Sequence, residues 1–267
     1  MNKVGIIGAG ILGGTLARRL AHFGYQVTIA NSRAPETLSD IATGEIKAGW
    51  MSNVVQGSEI LFLSLPYAAL ADVSATVRDN AAEQAIIVDT GNFYPGRDGD
   101  LPSWSEEDPD TLWLSRQIQR PIYKALNNIT YLGLRDGGLS PDDPARIGLP
   151  IAGSQGPSKN RLFHLVNELG FDPVDGGTLE QSWRQQPGSP IYATDLPAAD
   201  IRRFLDKVPA EDAKVYRENR KKFDDVTASG YQLIRSLREQ GLSLDEIIER
   251  MAGETERAVS QVHKAQG

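Results

Sequence analysis

The chain has 267 residues, a formal net charge of −7 and a pI near 5.1, with length enough for one α/β domain and something smaller. Hydrophobic residues at 40% and charged residues at 24% are ordinary for a globular protein, and no apolar run approaches the roughly 20 residues that span a bilayer. The absence of cysteine removes disulfides, thiolate ligands and thiol redox chemistry, and the acidic balance, with no long Lys/Arg run, argues against nucleic acid. His22, His164 and His263 show no metal-pair spacing, so no metal site is expected. The first seven residues are too short an apolar stretch for a secretory signal, and a cytoplasmic location is expected.

Residues 3 to 8 read as a buried strand and 12 to 23 as a helix, with Leu12, Leu16, Leu20 and Phe23 on one face and a stop at Gly24. Residues 25 to 30 are rich in β-branched side chains and form a second strand, so one βαβ unit fills the first 30 positions. A weak helix from Pro35 and a short strand around 45 to 48 follow. The apolar run from 59 to 65 is the fourth strand, a helix runs through Ala69, Leu70 and Val73, and 85 to 89 is the fifth strand, closed by Thr90-Gly91-Asn92. This alternation predicts an α/β fold with a doubly wound, Rossmann-type parallel sheet. The polar stretch from 94 to 109 reads as a solvated insertion in preference to an active-site lid. Further strands are expected at 121 to 125 and 149 to 153, and a helix from 157 to 169. After Pro197 strand signals vanish. The division is therefore a Rossmann-type domain over 1–196 and a helical C-terminal segment over 197–267, whose last helix carries an apolar stripe of Leu244, Ile247, Ile248 and Met251. That stripe is expected to bury against its own domain, with a homodimer through the helical segment as the second choice.

Chemistry enters where the first strand ends. In Gly8-Ala9-Gly10-Ile11-Leu12-Gly13, Gly8 allows a tight turn, Gly10 clears the approach of a pyrophosphate to a helix N-terminus, and Gly13 lets helix and strand pack closely. The second strand ends in Asn31-Ser32-Arg33, where NAD sites place an Asp or Glu. A carboxylate would repel a 2′-phosphate, whereas a hydroxyl beside a guanidinium binds it, so NADP(H) is the expected cofactor. Ligands of open α/β sheets sit at the switch in strand order, here between the first and fourth strands. Ser64, Leu65, Pro66 and Tyr67 should then flank the cofactor, Tyr67 equally well as ordinary packing. Thr90, Gly91 and Asn92 should lie near the nicotinamide.

These motifs, with Lys124-Ala125-Leu126-Asn127, Pro150-Ile151-Ala152-Gly153 and the run from Gly170 to Gly177, resemble the NADP oxidoreductases dependent on the deazaflavin coenzyme F-420 and the related reductase domain of the STEAP metalloreductases. The resemblance implies a cleft in which hydride passes between NADP(H) and a second redox acceptor of deazaflavin or flavin type. It also implies that Lys124 and Asn127 line that cleft near the nicotinamide, and that residues 177 to 184, with Ser182 and Arg184, border the acceptor. Two alternatives stay open. A carbonyl or imine reductase would need a proton donor, for which Tyr67 and Lys124 are the catalytic candidates. A non-catalytic NADPH sensor would use the helical tail to contact a partner.

Overall fold

A computed structural model describes residues 3–252; Met1, Asn2 and positions 253–267, His263 among them, lie outside the described residues. The chain opens with β1 (Lys3–Ile7), α1 (Ile11–His22), β2 (Gln26–Ala30), a 3-10 turn (Pro35–Leu38), β3 (Ile46–Ala48), α2 (Met51–Gly57), β4 (Ile60–Leu63), α3 (Tyr67–Asn80) and β5 (Ile86–Asp89). It continues through α4 (Pro95–Asp98), α5 (Asp110–Ile118), β6 (Ile122–Lys124) and α6 (Tyr131–Asp136). Six parallel strands pair in the order β3-β2-β1-β4-β5-β6, the doubly wound arrangement expected from the sequence.

Strands buried on both faces need apolar side chains at successive positions, and alternate residues divide between two cores. Val4, Ile6, Phe62 and Val88 face the core beside α1, whereas Ile7, Leu61, Leu63 and Ile87 face the core beneath α3 and α5.

The next strand leaves this sheet. β7 (Gly148–Ile151) pairs in parallel with β8 (Asp172–Asp175), which the sequence reading did not separate from its surroundings, and α7 (Pro157–Glu168) joins the two. The pair meets the main sheet through reciprocal backbone bonds between Lys124 and Ala152 of 2.9 and 3.0 Å.

The later helices are α8 (Ala198–Lys207), α9 (Asp212–Arg220) and α10 (Asp224–Glu239), and residues 244–252 are again helical. α8 covers the β7/β8 pair with Ala198, Ile201 and Leu205 around Val174. Leu244, Ile247 and Ile248 are buried in the α1 core, the first of their two expected placements, and Met251 packs against it. Gly14 permits this docking, since a Cβ there would stand 2.4 Å from Leu244 Cδ2. The 94 to 109 stretch is less solvated than its polarity suggested. Leu101 is buried, Trp104 lies 4.0 Å from the Phe93 ring, and Gly96 N–H donates to Asp224 at the start of α10.

Candidate functional site: a dinucleotide cleft

Parallel register aligns the strand ends. Ile7 pairs with Ala30 and Leu63, Leu63 with Asp89, and Asp89 with Lys124. The segments after them, 8–13, 31–33, 64–67, 90–92 and 125–127, therefore leave the sheet along one edge, with the β1/β4 switch at its middle.

The three glycines of the first turn do different work. Gly8 has φ +111°, and a Cβ there would stand 2.1 Å from Ser64 O; one on Gly13 would stand 2.0 Å from Gly8 O. The fold itself demands both. A Cβ on Gly10 would meet nothing within 4 Å among the described residues, so the packing does not demand that glycine, and the open space suits the close approach of a ligand. Gly10 caps α1 with no side-chain bond and no acidic residue in the first turn. The N–H groups of Gly10, Ile11, Leu12 and Gly13 consequently have no partner within the helix and suit a pyrophosphate.

At the end of β2, Asn31 Oδ1 accepts the Arg33 N–H at 2.8 Å and Asn31 Nδ2 donates to Thr37 Oγ1 at 3.0 Å. Asn31 thus shapes the turn. Ser32 and Arg33 are left exposed, and the Arg33 guanidinium has no hydrogen-bond or ion-pair partner among the described residues. Residues 31–33 themselves carry no carboxylate that would repel a 2′-phosphate.

The far end differs from expectation. Tyr67 and Lys124 are both 0% exposed and converge on Asp89, a residue to which the sequence reading gave no role beyond ending a strand. Asp89 Oδ2 accepts from Tyr67 OH at 2.6 Å, Thr111 Oγ1 at 2.6 Å and Lys124 Nζ at 3.2 Å, while Oδ1 accepts the Gly91 N–H at 2.8 Å. Lys124 Nζ also donates to Gly91 O at 2.6 Å. Burial and the adjacent Asp89 charge push the Tyr67 phenol well above its ordinary value. Neither candidate presents a proton to the cleft, because both are spent holding the 89–91 turn beneath it.

Asn127 is likewise interior. Leu126 takes a left-handed φ of +58°, turning Asn127 under the edge, where its Nδ2 donates to Asn92 Oδ1 at 2.9 Å and to Gln185 O at 2.8 Å. Gln185, which the sequence reading missed, donates in return to Asn127 Oδ1 at 2.9 Å and Pro150 O at 3.0 Å. Thr90 is buried with its hydroxyl on Leu63 O. Of the residues expected to flank the cofactor or lie near the nicotinamide, Ser64, Leu65, Pro66 and Gly91 remain partly exposed at the rim, whereas Thr90, Asn92, Lys124 and Asn127 are buried.

Within the 177 to 184 stretch, Ser182 and Arg184 are both engaged by the fold, whereas Thr178, Glu180 and Gln181 are exposed. Ser182 is fully buried, and Arg184 donates to the carbonyls of Gly176, Gln181 and Leu205. Lys159, buried at the base of α7, explains the conspicuous Asp-Gly-Gly of 175–177: its Nζ bonds Asp175 Oδ1 at 2.6 Å and Gly177 O at 2.9 Å. Partial burial works against ionisation of Asp175, but bonds from Lys159, Gly177 and Gln155 outweigh it and hold the carboxyl below its ordinary value.

A helix N-terminus opened by Gly10 after β1, with an exposed hydroxyl–guanidinium pair after the neighbouring β2, is the arrangement of a dinucleotide-binding Rossmann fold. The model of the family described as NADP oxidoreductase, coenzyme F420-dependent, matches residues 3–93 of this chain. Its fold is similar to that of a hypothetical protein, SMa0349, from Sinorhizobium meliloti, with a TM-score of 0.61 at 30% identity over 74% of this chain and 96% of that one. A provisionally assigned F420-dependent NADP-reductase from Arthrobacter sp. FB24 shares the fold with a TM-score of 0.57 at 22% identity, over 67% and 86% of the two chains. A stretch of 58 residues is 41% identical to the protein YjhV of Escherichia coli strain K12, spanning 22% of this chain and 42% of that relative. Among the described residues no helix is long and apolar enough to cross a membrane, and no group of three His, Cys, Asp or Glu side chains is placed to hold a metal.

Proposed function

We propose that this NADP-dependent oxidoreductase passes hydride between NADP(H) and a second, ring-type redox acceptor of the deazaflavin or flavin class. The observation that carries the choice is the burial of Tyr67 and Lys124 in the Asp89 network. Reduction of a ketone or imine asks for a proton donor within hydrogen-bond reach, and both named donors are engaged below the cleft floor. Hydride transfer between two bound rings asks chiefly for stacking geometry and exclusion of water. The residues present fit such a cofactor: Gly10 leaves room for the pyrophosphate, and Ser32 with Arg33 would hold the 2′-phosphate. When bound, NADPH supplies the hydride, and this chain positions it.

Purified protein mixed with NADPH and, separately, a deazaflavin, a flavin, a ketone and an imine decides the matter through absorbance at the NADPH band. Oxidation by the deazaflavin or flavin supports the proposal. Turnover with the ketone or imine alone contradicts it, and tight NADPH binding with no turnover on any acceptor returns the sensor reading. A homodimer through the helical segment would have to use exposed positions such as Val226 and Leu233, because the apolar stripe is covered by its own chain; sedimentation at micromolar concentration tests it.

A further inference from the structure

The C-terminal helices approach the adenosine side of the cleft. A depression of about 160 Å³ is lined both by Ser32 and Arg33 from the end of β2 and by Ile234, Arg238 and Leu244 from the last helices. Its lining contains two guanidinium groups and no carboxylate. Arg238 is only half satisfied: Nη1 donates to Asp40 Oδ2 at 2.7 Å, whereas Nη2 is shielded from solvent and has no partner among the described residues. Asp40 Oδ2 also accepts the Leu244 N–H at 2.7 Å, so one carboxylate fixes both the guanidinium and the start of the following helix. A shielded N–H without a partner is costly unless a ligand takes it up, and a guanidinium with one arm anchored is set to offer the other to a phosphate oxygen.

We infer that Arg238 is the second cation of the 2′-phosphate subsite, so that the phosphate is bridged between Arg33 and Arg238 and the C-terminal helices close over the adenosine end of NADP(H). The inference rests on the NADP reading above and adds to it that docking of residues 224–252 responds to the 2′-phosphate.

Titration calorimetry with NADPH, NADH, 2′,5′-ADP and 5′-AMP on wild type, Arg33→Ala, Arg238→Gln and Arg238→Lys tests it. Arg238→Gln should weaken NADPH and 2′,5′-ADP about tenfold or more while leaving NADH and 5′-AMP unchanged, and Arg238→Lys should recover part of the loss. Loss of NADPH and NADH in equal measure, or of neither, overturns the inference. Hydrogen exchange on the unaltered protein gives a check independent of variant folding: 2′,5′-ADP, but not 5′-AMP, should slow exchange across 224–239, and equal protection or none overturns it. If wild type binds NADPH and NADH equally, the NADP reading itself fails. If selectivity depends on Arg33 and ignores Arg238, only the present inference fails.

Discussion

Single residues at this site separate into those the fold needs and those the ligand needs. Gly10→Val adds a side chain into open space at a φ of −74°, so thermal stability should be nearly unchanged while calorimetric binding of any dinucleotide disappears. Retained binding would mean that the turn does not face the pyrophosphate. Gly8→Ala should do the reverse, costing stability through a positive φ and contact with the Ser64 carbonyl. Arg33→Ala removes charge-assisted bonds of roughly 1.5–3 kcal/mol each and should weaken NADPH about 10- to 100-fold while sparing NADH. At Asp89, three side-chain donors converge on one carboxylate oxygen, and Asp89→Asn leaves Lys124 buried without its counter-ion. The expected loss is about 3–5 kcal/mol in denaturant unfolding, and an unchanged midpoint would show that the network does not support the edge. Only part of this was legible beforehand. The glycines and Arg33 carry their meaning in local spacing, whereas Tyr67 and Lys124 owe theirs to Asp89, which lies 22 and 35 positions away and meets them only through parallel register.

At the scale of elements, β1 to β5 could be read from apolar runs and the turn residues between them because both faces of the sheet are buried. α2 and α5 are 7 and 9 residues long and gave too few turns for a periodic signal. β8 was hidden by Pro173 and two aspartates, which an edge strand tolerates. The C-terminal helices carry an element-level prediction. Burial works against ionisation of Asp40, but bonds from Arg238 and the Leu244 N–H outweigh it and hold the carboxyl below its ordinary value of 3.8. A carboxylate depressed by folding stabilises above its unfolded pKa, and that contribution is lost as pH falls through the lower folded value. Amides of 224–252 should therefore lose exchange protection below about pH 3.8 before those of β4 and β5, and Asp40→Asn should loosen them already at neutral pH. Protection that fades together across sheet and helices would contradict this.

For the whole molecule, the Rossmann order followed from alternating strands and helices, as did burial of the last stripe against its own domain, but the surface that receives residues 244–252 did not. An amphipathic stripe states that a helix is buried on one face and not against what. Gly14, which admits Leu244, and Asp40, which gathers Arg238 and Leu244, are where that answer is written, and both look like surface or turn residues in isolation. The result is one molecule whose N-terminal turn and C-terminal helices share a single depression beside Arg33. The most direct measurement is the ratio of NADPH to NADH dissociation constants for the intact protein by titration calorimetry at fixed ionic strength. NADPH is expected to bind at least about tenfold more tightly; equal affinities would contradict the assignment of Ser32 and Arg33 to a 2′-phosphate.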